Sequence, residues 1–288
     1  MKIRDNFHIY AIVTIICWSM AYVFTRLSLK HFSVYSLGFL RYMIASLILV
    51  VVAAVTKMKL PDKSDYKWFV MNGAVGFFLY MIVFNKGCEI LNSSTSSVIV
   101  STTPVITALL AYFFCNERLK KYQWVAIAAA FSGTVIIAMS NGEFMVNTGL
   151  IWLFSAAFCL SAYNLLQRKL TKNYSALQTS AFSIFTGTIM LTIFLPGAVK
   201  EVVNAPFETL FYVALLGIFP SAIAYVSWSK AFAKARNTSS VSNYMFVTPF
   251  LATLLGFLIA GETPDTSTIT GGLIILTGLL LFSFGGNH

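Results

Sequence analysis

The side chains able to do acid–base, nucleophilic or metal chemistry stand apart from one another in this sequence. The histidines are His8, His31 and His288, and the carboxylates are Asp5, Asp62, Asp65, Glu89, Glu117, Glu143, Glu201, Glu208, Glu262 and Asp265. Cys17, Cys88, Cys115 and Cys159 form no CxxC pair, and none has a histidine at metal-ligand spacing. A glycine-rich phosphate loop is absent as well. Nothing here assembles a catalytic triad, a Ser/Lys pair or a metal set, so an enzyme is not expected, and no metal or cofactor is called for. The sequence instead carries neutral polar and aromatic residues at helical spacing. Trp18, Tyr22 and Thr25 follow i, i+4, i+7, and Ser94, Ser97 and Ser101 follow i, i+3, i+7. Tyr163, Asn164 and Gln167 fall within about one turn, as do Tyr80 and Phe84, Tyr225 and Trp228, and Asn243 and Tyr244. Such groups hold a solute by stacking, cation–π contact and hydrogen bonding without making or breaking bonds.

The elements that must position them are apolar throughout. Of the 288 residues, 58% are hydrophobic and only 10% are charged; a soluble domain carries about a quarter charged residues. A bilayer admits such a chain because its exterior can also be apolar. A spanning helix needs about 20 mostly apolar residues. Ten such stretches are expected, at 8–26, 35–55, 68–87, 94–114, 121–140, 148–167, 177–196, 209–228, 239–260 and 267–285. The first could imitate a signal peptide, but no small-x-small site closes it, and it reads as a retained helix. The four cysteines lie in or at the ends of apolar runs and read as small buried residues.

The net charge of +10 is spread in short tracts between the apolar runs and forms no single basic face. Nucleic-acid binding is therefore not expected, and membrane topology accounts for the cations. With the N-terminus inside, fifteen fall in inner segments: Lys2, Arg4, Lys57, Lys59, Lys63, Lys67, Arg118, Lys120, Lys121, Arg168, Lys169, Lys172, Lys230, Lys234 and Arg236. Four fall outside, namely Arg26, Lys30, Lys86 and Lys200, while Arg41 lies within the second helix. Both termini are predicted to be cytoplasmic, in a multi-pass protein of the cell membrane.

The chain also repeats itself. At an offset of 145, Asn92 to Ser97 meets Asn237 to Ser242, Pro104 meets Pro249, Glu117 meets Glu262, Gly133 meets Gly278 and Tyr80 meets Tyr225. Near the front an offset of 142 pairs Cys17 with Cys159, Ser19 with Ser161, Arg26 with Arg168 and Ser33 with Ser175. Two units follow, 1–140 and 141–288. Each holds five helices, and five is odd, so the second unit enters the membrane from the opposite side. The expected fold is all-α, with ten transmembrane helices in two inverted five-helix repeats. Secondary transporters often follow this plan, with the substrate near the midplane between the halves.

Particular residues resemble a known family. Trp18-Ser19 with Tyr22, Arg41-Tyr42 with Ala45, the hydroxyl-rich stretch into Thr103-Pro104, Glu117-Arg118-Leu119, and Gln123-Trp124 to Gly133 resemble EamA-type members of the drug/metabolite transporter superfamily. Thr248-Pro249, Gly261-Glu262 and Gly271 to Gly278 repeat the pattern, so the likeness covers nearly the whole chain. The resemblance implies ten helices around a central cavity and movement of amino acids, other metabolites or drugs, often outward. Uptake of a small amine or nutrient is the alternative; a non-transporting receptor or assembly subunit is a more distant one. A small-molecule substrate and the lipid bilayer are the expected partners, with the protein acting as a monomer. Ser183 stands where a second Arg41 would fall, so any role of that arginine is asymmetric.

The candidate cavity set is Trp18, Ser19, Tyr22, Tyr80, Phe84, Ser97, Ser101, Tyr163, Asn164, Tyr225, Trp228, Asn243 and Tyr244. Each member has a plainer reading. Small hydroxyls also pack helices closely, and single aromatics also anchor at the membrane interface. A lipid-facing wall has no need of Asn164 or Asn243, which favours the cavity for those two. Pro104 and Pro249 each free a carbonyl four residues back, on Val100 and Met245, either for a substrate or for a neighbouring hydroxyl that fills it. Arg41 either snorkels to the headgroups, clamps backbone carbonyls, or meets a substrate carboxylate. Glu117 and Glu262 read first as carboxylates at the N-terminus of the helix that follows each, and second as coupling or gating groups. Because no carboxylate lies mid-membrane, facilitated diffusion or exchange is expected in place of proton antiport. Ala126 with Gly133, and Gly271 with Gly278, mark helices five and ten as packing helices.

Overall fold

A computed structural model describes residues 7–115, 119–138, 148–235, 241 and 243–284. Among the described residues there is helix and no strand. Seven helices among these residues are long and apolar enough to cross a membrane: α1 (Phe7–Ser28), α2 (Val34–Val55), α3 (Lys63–Ile90), α4 (Ser93–Phe114), α6 (Thr148–Leu170), α7 (Ala176–Asn204) and α8 (Phe207–Lys234). Three shorter apolar helices complete the set: α5 (Lys121–Ala138), α9 (Tyr244–Ala260) and α10 (Thr266–Phe284). Each of the ten expected stretches has its helix. Leu47, Val51, Phe131, Ile189, Phe250 and Leu258 are exposed on the outside, a surface suited to lipid and not to water.

The spans start where the sequence supplies a cap. The side chain of Ser33 accepts the Ser36 N–H at the head of α2, and its repeat mate Ser175 accepts the Gln178 N–H at the head of α7. At the head of α4 an amide does the same work: the side-chain oxygen of Asn92 accepts the Thr95 N–H. α3 and α7 run longer than the expected stretches because their polar ends continue as helix beyond the apolar run.

Contacts between the halves map onto themselves when the halves are exchanged. α1 packs on α8 as α6 packs on α3, α1 packs on α9 as α6 packs on α4, and α2 packs on α7. Single bonds obey the same exchange. Ser19 Oγ donates to the Ile15 carbonyl at 2.7 Å and lies 3.5 Å from the Thr248 carbonyl; Ser161 Oγ donates to Ala157 at 2.7 Å and to Thr103 at 3.0 Å. Ser46 and Thr188, which match at the offset of 142, meet each other at 2.8 Å. The ten helices thus form two five-helix repeats.

Two local departures shape the centre. α4 breaks between Val100 and Thr103, and a 3-10 segment, Asn243–Val247, leads into the corresponding part of α9. Pro104 and Pro249 each stand second in the α-helix that follows, where a missing N–H costs nothing. The carbonyl of Val100 is taken by the Thr103 hydroxyl at 2.6 Å. Of the two roles open for Pro104, this supports the static kink.

The second departure is a π-helical segment in each third span, Ala74–Leu79 in α3 and Gly217–Ile223 in α8. Such wide turns gather at functional positions. Pro220 lies inside the second and cannot donate to the Leu216 carbonyl. Ser221 Oγ fills that acceptor at 2.8 Å. Tyr80 follows the first segment directly, and Tyr225 follows the second after one residue.

α5 and α10 pair at the side of this arrangement. A Cβ placed on Gly133 would come 2.5 Å from the Gly271 carbonyl oxygen, and one on Gly278 would come 2.9 Å from the Ala126 carbonyl. These backbones touch, so the small residues are obligatory, and both are packing helices as their spacing predicts.

Candidate functional site: an aromatic pocket between the halves

A cavity sits where the two halves meet. Trp18, Ala21 and Tyr22 of α1 line it, with Arg41 of α2, Tyr80 and Phe84 of α3, Val100 of α4, Leu160 of α6, Tyr225 of α8, and Met245 and Thr248 at the start of α9. It is nearly filled by its own walls. About 20 Å³ is open to the centre of a water-sized sphere, room for one or two waters and for no metabolite.

The walls are rings in edge contact. Tyr225 lies 5.3 Å from Trp18, 4.8 Å from Phe77, 5.6 Å from Tyr163 and 6.4 Å from Tyr42, centre to centre. Tyr22 meets Phe84 edge-on at 5.4 Å, and Phe84 stacks on Tyr80. Trp18 also donates its indole N–H to the Pro220 carbonyl at 3.2 Å, which ties α1 to the π-helical segment of α8. Replacing Trp18 by phenylalanine keeps a ring and removes this bond. The expected cost is about 1 kcal/mol, read as a melting temperature lowered by about 2–4 °C.

Arg41 is 3% exposed, which excludes snorkelling to the headgroups. Its Nε donates to Ser221 Oγ and its Nη1 to Thr25 Oγ1, both at 3.2 Å. Among the described residues no carboxylate reaches it; the ion pair formed there joins Arg26 and Glu262.

That ion pair lies one helical turn along α1 from the cavity residue Tyr22. Arg26 Nε lies 2.6 Å from Glu262 Oε1, and Arg26 Nη1 donates to the Leu91 carbonyl at 2.5 Å. Glu262 Oε2 accepts the Ser93 N–H at 2.8 Å, at the N-terminus of α4. This corrects the first reading of Glu262. It serves the head of α4 and not the helix that follows it; Asp265 does the latter, accepting the Thr268 N–H at 2.9 Å. Glu117 lies outside the described residues.

A neutral network reaches the cavity residue Tyr225 through its backbone carbonyl. Asn72 Nδ2 donates to Gln167 Oε1 at 3.0 Å and Ser183 Oγ at 2.9 Å. Gln167 Nε2 donates to Thr179 Oγ1 at 3.2 Å and also bonds Ser229. Ser180 Oγ bonds Ser229 Oγ and donates to the Tyr225 carbonyl at 3.0 Å. All six side chains are buried, and the bonds hold α3, α6, α7 and α8 together.

The candidate residues fall into three groups. Trp18, Tyr22, Tyr80, Phe84, Tyr225 and Arg41 converge on the cavity. Tyr163, Trp228 and Asn164 stand behind it: Tyr163 packs on Tyr225 and Phe77, Trp228 packs on Trp18, and Trp228 Nε1 lies 3.4 Å from Asn164 Oδ1. Ser19, Ser97, Ser101 and Tyr244 are placed elsewhere. The first three bond carbonyls of their own helices, Ser97 to Ser94 at 2.8 Å and Ser101 to Val98 at 2.6 Å, the usual outcome for hydroxyls in a helix. Tyr244 bonds His8. The side chain of Asn243 lies outside those described, and Pro249 is buried beside the cavity residue Thr248. Sequence reasoning missed Arg26, Asn72 and Ser221. For Arg26 the repeat held the signal, since it matches Arg168 while Glu262 matches Glu117.

Comparison with known proteins agrees with this architecture. The family model of the EamA-like transporter family matches residues 6–139 and again 147–284. YdfC of Bacillus subtilis (strain 168), described as an uncharacterized transporter, is 29% identical over 265 residues, covering 91% of this chain and 86% of its own. A probable terminal-alkyne amino-acid exporter of Streptantibioticus cattleyicolor is 28% identical over 272 residues, covering 94% and 91%. A crystal structure at 16% identity superposes with a TM-score of 0.67 over 97% of this chain and 96% of the other, a likeness of fold alone. With two matches that each take in five helices, the chain belongs to the EamA-like transporter family.

Proposed function

We propose that this transporter moves a small amphipathic metabolite, an amino acid or similar solute, outward across the cell membrane by alternating access. The observation that carries the reading is the aromatic pocket between two repeats, flanked by an ion pair on one side and a neutral hydrogen-bonded network on the other. The similarity to a probable amino-acid exporter favours this solute class and direction. The repeats, 1–140 and 141–288, are oppositely inserted because five spans separate their starts. The bias of cations toward one set of loops puts both termini in the cytoplasm. The Arg26–Glu262 end then faces outward and the Asn72–Gln167 end inward. A solute enters when one end parts, and the walls spread to admit it. Among the described residues the carboxylates lie at helix ends and in loops, which favours facilitated movement or exchange over a proton cycle through a buried acid.

The experiment has two stages. Purified protein is first screened by thermal shift against amino acids, amines and nucleosides. A stabilising solute is then followed in proteoliposomes. Trp18→Ala and Tyr22→Ala, each checked for a monodisperse folded protein, are expected to lower flux by about tenfold or more, since each removes a stacking wall. Unchanged flux would dismiss the pocket as the route. Solute flux that drives acidification would dismiss the facilitated mechanism.

A further inference from the structure

We infer that Arg41 is the recognition site for a carboxylate on the transported solute, so that the substrates are amphipathic carboxylic acids and not neutral or purely cationic solutes. This rests on the transport reading above and names its substrate class.

A guanidinium carries five N–H donors and no acceptor. Two of those donors are used, both on neutral hydroxyls, those of Ser221 and Thr25. Nη2 has no protein acceptor among the described residues. Arg41 nevertheless lies on the cavity wall and is 3% exposed. A cation so placed inside a membrane protein is costly unless it is paired. The described part of the chain supplies no partner anion, which leaves that place to a solute.

Packing does not require the charge, as the other half demonstrates. Ser183 holds the position equivalent to Arg41, and Gln167 the position equivalent to Thr25. There Asn72 bridges Gln167 and Ser183, and the triangle is neutral. The same helical scaffold is thus built once with a neutral hydrogen-bonded set and once with a cation that lines the cavity. The cavity also holds the phenols of Tyr22 and Tyr80. A planar carboxylate suits the guanidinium fork, which binds it through two parallel hydrogen bonds, and the rings of Trp18, Phe84 and Tyr225 suit an apolar remainder.

The test uses the purified full chain and three matched ligand series: phenylalanine, phenylalaninamide and phenethylamine, with the leucine and norvaline equivalents. Binding is measured by calorimetry and thermal shift. Wild type is expected to favour each acid over its amide by about tenfold or more. Arg41→Gln is expected to abolish the preference. Arg41→Lys, which keeps the charge and loses the fork, is expected to retain part of it; it also provides the reading if Arg41→Gln does not fold. Equal binding of acid and amide by wild type, or a full preference kept in Arg41→Gln, overturns the inference while leaving transport intact. Silence from all three series overturns it together with the amino-acid reading proposed above.

Discussion

Replacing Glu262 by glutamine is expected to raise the labelling of Cys88 by a membrane-impermeant maleimide about tenfold or more. Cys88 is 1% exposed and lies directly beneath the Arg26–Glu262 contact; Arg26 Nη1 reaches towards its carbonyl at 3.5 Å. Glu262 holds three elements together there, through the charge on α1, the head of α4 and its own place after α9. A hydrogen bond to a charged group contributes about 1.5–3 kcal/mol, and each 1.4 kcal/mol is about tenfold in population. The pair is partly exposed, with Arg26 at 33% and Glu262 at 13%, so solvent screening favours the lower end of that range. The measurement is made on intact cells after Cys17, Cys115 and Cys159 are replaced by serine, so labelling from outside also tests the proposed orientation. Arg26→Gln should act alike, and the double variant should add little to either single one, because both remove the same contact. Labelling that does not change would reduce the ion pair to a packing detail.

Replacing Gly133 by leucine is expected to remove most of the folded protein. A Cβ alone would stand 2.5 Å from the Gly271 carbonyl oxygen and 2.8 Å from the Ile275 side chain. The oxygen belongs to a helix backbone and cannot swing aside, so α5 and α10 must separate. Overpacking costs about 1–3 kcal/mol where side chains can adjust; here the backbone must move, and the cost lies at or above the top of that range. Gel filtration of a fluorescent fusion reads the result as aggregate in place of a single peak. Gly272→Ala is the control. Its Cβ would meet Val98 at 3.4 Å, an ordinary contact, and the peak should survive. A leucine variant that stays monodisperse with an unchanged melting temperature would mean that the two helices do not touch as described.

The span number is legible in the sequence because apolar runs of membrane length have little use outside a bilayer. The polar repeat is legible for a similar reason: a proline, a glutamate and a serine cap recurring at one spacing report on the backbone. The pocket is legible only as faces. Trp18 with Tyr22, and Tyr80 with Phe84, share a face in the sequence and a wall in the structure. Ser97 and Ser101 share a face equally well, yet bond their own helix, since a hydroxyl finds an acceptor one turn away wherever it sits. The partners of Glu262 are hidden because they lie on helices far away in the chain: Arg26, at the end of α1, and Ser93, at the start of α4. The wide turns in α3 and α8 leave no compositional mark apart from Pro220, and they place Tyr80 and Tyr225 at the centre.

The glycine contact between α5 and α10 has a consequence for biosynthesis. Ribosomes make residue 133 long before residue 271, so α5 enters the bilayer while the helix that fits it so closely is still unwritten. Through that interval lipid must fill the seam, and the first repeat waits with its small-residue face bare. The glycine pairing therefore cannot form until the chain is nearly complete.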